Sequence, residues 1–183
     1  DSFSQFNEIP IDSLTGKVHF IKTGTVDSIG KEELFTRSKD WFNRYFRSVE
    51  DVILISDKNS GKLVFKAYRE ITIAGLIKTK TRLFFSINVF LKDEKYKIEV
   101  YDIYYYSYEI DDDEINKPAT KSYPHDWYFP FEKMKKPNGT FKPIPKSYYD
   151  ETLKSVNLFL DDLVKELSKD TGNNTTDNSN MDW

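Results

Sequence analysis

Between residues 52 and 108 the chain keeps a period of two almost without interruption, and this run limits the fold more than any other feature. VILIS at 52–56, KLVFKAYREITIAG at 62–75, RLFFSINVFLK at 82–92 and YKIEVYDIYYYSY at 96–108 read as four strands. The first turn, DKNSG, offers Gly61 for a positive φ, and KDEK closes the last hairpin. Strands following one another this way form an antiparallel meander, and strands of this length twist into a curved sheet. In the last strand Tyr96, Ile98 and Val100 share one parity, whereas Tyr101, Ile103 and Tyr105 share the other. A β-bulge near Asp102 repairs the register.

Helical spacing appears on either side of the meander. In KEELFTRSKDWFNRYF, Leu34, Ser38, Trp41, Phe42 and Tyr45 fall on one face. Gly30 is the expected N-cap, Ile29 and Leu34 occupy the staple positions, and Glu32 and Glu33 suit the positive end of the helix dipole. SYYDETLKSVNLFLDDLVKELSK, from 147, carries a second stripe through Leu153, Val156, Leu160 and Leu163, with Ser147 and Asp150 patterned as a capping box. KVHFIK at 17–22 adds a strand ahead of the first helix, with Val18 and Phe20 on one side. The expected fold is therefore α+β, in the order β-α-β-β-β-β-α, with two helices covering one face of a curved antiparallel sheet. Residues 1–14 form an N-terminal extension, 15–168 a single domain, and 169–183 a polar tail without a core pattern. Six of the seven prolines fall in 109–146, which reads as a Pro- and aromatic-rich insertion without regular helix.

The motifs KEELFTRSKDWFNRYF, DVILISDKNSGKLVFKAY and KDEKYKIEVYDIYYYSY, in this order, resemble a family of uncharacterised bacterial proteins with a TATA-binding-protein-like (TBP-like) fold. The resemblance covers roughly residues 15 to 110. Members occur largely in gut anaerobes behind secretory or lipoprotein leaders. It therefore implies a TBP-like fold and a secreted, periplasmic or cell-envelope location, with a possible lipid anchor on the unprocessed chain. It implies no catalytic residue.

Catalytic constellations are sparse. There is no Cys, so thiolate zinc sites and cysteine nucleophiles are excluded, and the two histidines, His19 and His125, lie far apart in the sequence. His125 beside Asp126 is the one pair that supports a hydrolase reading, with nearby carboxylates; no Gly-x-Ser-x-Gly elbow accompanies it. The acidic run at 111–114 lacks the ligand frame of an EF-hand. No cofactor or metal is expected. Nothing approaches about 18 consecutive apolar residues, so no transmembrane helix is expected. A formal net charge of -3 weighs against nucleic acid as a partner, although the fold type is known for a DNA-bending saddle.

Aromatic residues make up 16% of the chain, more than the helix-covered face of one sheet absorbs. With Leu63, Phe65, Leu83, Phe85, Ile87, Ile98 and Val100 toward the helices, Tyr68, Phe84, Phe90, Tyr101 and Tyr105 are expected on the opposite face. Trp127 and Tyr128, with Phe129 and Phe131, either fold back over that face or wall a groove beside it. A non-catalytic binding module for a protein, peptide or glycan is the leading expectation, with monomer or homodimer both open.

Overall fold

The computed structural model describes residues 6–46, 52–76, 78–107 and 120–169. Six strands, β1 (Phe20–Thr25), β2 (Val52–Asp57), β3 (Lys62–Ile73), β4 (Thr79–Lys92), β5 (Lys95–Ser107) and β6 (Thr120–Ser122), form one antiparallel, curved sheet. Its order is β1-β5-β4-β3-β2, and β6 pairs with β5 beyond the end of β1. Helices α1 (Lys31–Tyr45) and α3 (Pro143–Leu167) pack on one face, and a single turn, α2 (Pro124–Trp127), joins them. The fold is the expected mixed α+β arrangement, with α2 and β6 added from within the insertion.

Local chemistry explains why these elements form. Gly30 caps α1 in an extended conformation without a side chain of its own. The missing acceptor comes from the β4–β5 turn, where Asp93 Oδ1 takes the Lys31 N–H at 2.8 Å. Ile29 and Leu34 are both buried, as the staple requires. At the β2–β3 turn Asp57 Oδ1 accepts the N–H groups of Asn59 and Ser60. Gly61 follows at φ +67, where an added Cβ would lie 2.2 Å from the Leu91 carbonyl oxygen, so only glycine fits.

The core lies between the sheet and the two long helices. Phe42 stacks on Phe65 at 4.2 Å, and Phe85 stacks on Phe159 at 4.9 Å. Each such buried ring contributes about 1.5–3 kcal/mol of burial. Arg37, buried in α1, donates to the carbonyls of Leu167 and Lys169 and to Glu33 Oε1. It thereby satisfies orphan carbonyls at the C-terminal end of α3 and joins the two helices.

Three local expectations change. The first strand spans Phe20–Thr25 and not 17–22, while Val18 makes only an isolated bridge with Ile11. α3 begins at Pro143, four residues before Ser147. Pro143 and Pro145 fit its first turn, whose N–H groups have no intrahelical acceptor, and the Ser147 hydroxyl instead accepts the Ala74 N–H at 2.8 Å. The Pro-rich insertion is also more regular than expected, with β6, α2 and a 3-10 turn at Phe131–Met134. Residues 1–5, the acidic run and the tail from 170 lie outside the described residues.

Candidate functional site

The bulge in β5 decides which rings reach the open face. Ser86 pairs with Tyr101 but Phe84 pairs with Tyr104, so β5 holds one extra residue, and Asp102 takes φ +55 there. Before it, Tyr96, Ile98 and Val100 face the helices; after it, Ile103 and Tyr105 do. Tyr104 and Tyr106 consequently point to the helix-free face.

There they join two of the expected residues. Tyr68, Phe84 and Tyr104 are register partners on β3, β4 and β5 and form a row across the sheet. The rings of Tyr68 and Phe84 lie 5.2 Å apart, and Phe84 and Tyr104 stack at 5.0 Å within 1° of parallel. Tyr106 meets both Phe84 and Tyr104 edge-on, at 5.6 and 5.8 Å. Three cations lie over these rings. Arg82 is 4.6 Å from the Tyr68 centroid, while Lys66 and Lys121 are 5.7 and 4.1 Å from that of Tyr104. The Tyr123 phenol beside Lys121 holds its ammonium above the usual lysine range. Elsewhere on this face the charges cancel, with Glu70 on Lys80 at 3.0 Å and Glu99 on Lys97 at 2.6 Å.

The remaining expected residues divide. Phe90 and Tyr101 share the helix-free face but stand apart from the row. Phe90 lies beneath Lys62 and Lys97, and the Tyr101 hydroxyl donates to Asn88 Oδ1 at 3.1 Å. Tyr105 is not on that face: its hydroxyl lies in the core, 2.8 Å from both Tyr128 Oη and Thr152 Oγ1. Burial, with the neighbouring phenols, pushes Tyr105 well above the ordinary tyrosine value, and burial raises Tyr128 likewise. Trp127 and Tyr128 pack on the helix side. Trp127 stacks on Tyr148 at 4.3 Å and donates to Ser122 Oγ, and Tyr128 is fully buried. From Trp127 onward the aromatic segment therefore extends the helix layer, because a buried hydroxyl network and the α3 rings offer it better partners than Phe84 does, while Tyr123 reaches the edge of the opposite face, 6.4 Å from Tyr104. Tyr104 and Tyr106 escaped sequence reasoning, although carrying the inferred bulge through the alternation would have found them.

His125 lies at the surface, its Nε2 3.4 Å from Asp126 Oδ1 and its ring stacked on Tyr123 at 5.5 Å. Among the described residues no serine or threonine hydroxyl bonds to it, and no group of three His, Cys, Asp or Glu could hold a metal ion. No described helix is long and apolar enough to cross a membrane.

Known proteins supply the wider setting. A structure of a DUF4468 family protein from Bacteroides ovatus superimposes with a TM-score of 0.69 at 15% identity, covering 91% of this chain and 94% of its own. A TBP-like protein from Parabacteroides distasonis gives a TM-score of 0.66 at 20% identity, covering 87% and 96% respectively. At these identities the likeness is one of fold. No curated protein matches the chain at a significant level. Residues 20–106, from β1 into the stretch of β5 that carries Tyr104 and Tyr106, match the family model described as a domain of unknown function (DUF4468) with TBP-like fold, and the fold seen here is the one that model describes.

Proposed function

We propose that the protein is a non-catalytic binding module of the cell envelope, secreted or periplasmic, whose helix-free sheet face captures an acidic segment of a partner protein. The observation that carries this reading is the row Tyr68, Phe84, Tyr104 and Tyr106 with Lys66, Arg82 and Lys121 over its rings. Stacked rings supply flat apolar area at low entropic cost, and the cations set the sign of what settles on them. Lys66 and Lys121 have no carboxylate partner among the described residues, so a partner's acidic groups complete them without breaking an existing ion pair. The envelope location draws its support from the family resemblance to leader-bearing proteins, and fractionation of cells expressing the unprocessed chain tests it.

Panning a random peptide display library against the immobilised protein tests the binding reading. Acidic sequences flanking an apolar residue are expected to enrich on wild type and to be lost on a Lys66→Glu, Lys121→Glu variant. Enrichment that ignores these charges defeats the reading. Retention of single-stranded oligonucleotides in preference to peptides would replace it with nucleic-acid binding, since stacked rings and cations suit bases as well.

A further inference from the structure

Two strands share the same edge of β5 without meeting. β1 pairs as far as Val100, opposite Phe20, and β6 starts at Tyr105, opposite Ser122. The bulge lies in the interval between them, and a cavity of about 280 Å³ opens there. Lys17 and Val18 form one wall, Asp102 and Ile103 the floor, and Tyr123 and Phe129 of the insertion the far wall. A second cavity of about 480 Å³ shares Lys17, Val18 and Asp102 and continues onto the sheet past His19, Asn88 and Tyr101. Together they form one trough, within the roughly 300–1,000 Å³ common for small-molecule sites.

Several polar groups along this trough have no partner among the described residues. The Asp102 side chain, exposed and held at positive φ, makes no hydrogen bond or ion pair among the described residues. The Lys17 ammonium is likewise unpaired. His19 Nε2 is buried with no hydrogen-bond partner, although the ring lines the second cavity and its Nδ1 lies 3.9 Å from Asp12. His19 Nε2 is closed off from solvent, so the polar groups open to a ligand here are the Asp102 carboxylate and the Lys17 ammonium. Backbone held in a sparsely populated region also clusters at binding sites.

The chemistry of the lining selects the ligand. Lys17 offsets Asp102, and Lys97 already neutralises Glu99, so the trough carries little net charge to attract an ion. What it presents is rings, Tyr123 at one end and Tyr101 at the other, interleaved with donors and acceptors of hydroxyl-bonding geometry. We propose that the β5 notch binds a neutral saccharide of at least two rings, with Tyr101 and the side of the Tyr123 ring that His125 leaves uncovered packing on sugar C–H faces and with Asp102 and Lys17 bonding its hydroxyls. This site adjoins the Tyr68–Tyr106 row at Tyr123, whose ring lies 6.4 Å from that of Tyr104, but Lys17 and Asp102 belong to the notch alone and Lys66 to the row alone, so each reading survives the failure of the other.

Amide-resolved NMR titration of the full chain tests the proposal, with methyl β-glucoside, methyl α-mannoside, methyl β-galactoside, N-acetylglucosamine, cellobiose and maltose as probes. At least one disaccharide is expected to shift the amides of Lys17, Val18, Asp102 and Ile103 saturably and to bind more tightly than its single ring. Asp102→Asn, which keeps a side chain tolerant of positive φ, and Lys17→Met should each weaken that binding by about tenfold, as loss of a charge-assisted hydrogen bond does. The Lys66→Glu variant should bind the sugar as wild type does, because the Lys66 ammonium lies over Tyr104 and not over Tyr123. Absence of saturable shifts from every probe overturns the proposal, as do shifts unchanged by both notch substitutions. Displacement of the sugar by equimolar sulfate also overturns it, because it would reveal an anion site.

Discussion

Tyr104, Tyr105 and Tyr106 are consecutive, yet they belong to two different environments. Tyr105 is wholly enclosed, and its hydroxyl links Tyr128 and Thr152 at 2.8 Å, while Ser107 and Tyr148 continue hydroxyl bonding nearby at 3.0 Å. Tyr104 and Tyr106 lean on Phe84 across the helix-free face, with Lys121 above. The same side chain thus acts inside as a polar rivet in an apolar layer and on the helix-free face as a ring stacked among rings, with Tyr106 half-buried and Tyr104 only 8% exposed. Composition cannot distinguish the two uses; the extra residue at the bulge does.

Substitutions can break this comparison. Tyr105→Ala removes a buried ring and takes one hydroxyl partner each from Tyr128 and Thr152, so chemical denaturation should read a loss of about 3–5 kcal/mol. A loss no larger than that of Tyr106→Ala would mean the inside and outside roles are not distinct. Tyr105→Phe keeps the ring and removes only the bridge, and a loss of about 1–3 kcal/mol is expected. Both buried phenols are held neutral, above the ordinary tyrosine value of about 10. Their contribution is complete below that pH and is lost as pH rises from the unfolded value toward the folded ones. Stability should therefore be level through neutral pH and fall above about 10, and the fall should be shallower in a Tyr105→Phe, Tyr128→Phe double variant. Tyr106→Ala, which gives up two edge-on ring contacts at the surface, should cost about 1 kcal/mol. Smallest is Asp102→Gly, which relieves the positive φ but adds unfolded-state freedom, for a net gain of about 0.5 kcal/mol in the same denaturation measurement.

Much of the architecture was legible because it is local. The α1 stripe, the Gly30 cap, the Gly61 turn and the bulge at Asp102 each rest on a few adjacent residues. Face assignment beyond the bulge was legible in principle and failed in application: Tyr105 was expected outside because the parity was not reversed after Asp102. The site was less legible because distant partners decide it. Tyr128 enters the core to reach Tyr105, and Trp127 settles on Tyr148, so the insertion chooses the helix side for reasons that its own spacing does not contain. β6 is three residues, TKS, too short to carry a period. The α3 start was hidden by two prolines, which signal a break in a helix interior but fit a first turn equally well.

The gap between β1 and β6 has a structural corollary. Its walls come from a turn ahead of the first strand and from a Pro-rich excursion after the last long one, and neither wall supplies the Phe42–Phe65 or Phe85–Phe159 contacts of the central core. Lengthening, trimming or re-lettering either segment changes what the gap admits while the meander and its two long helices stay as they are. The edge can in this way be reshaped while the sheet behind it is left alone.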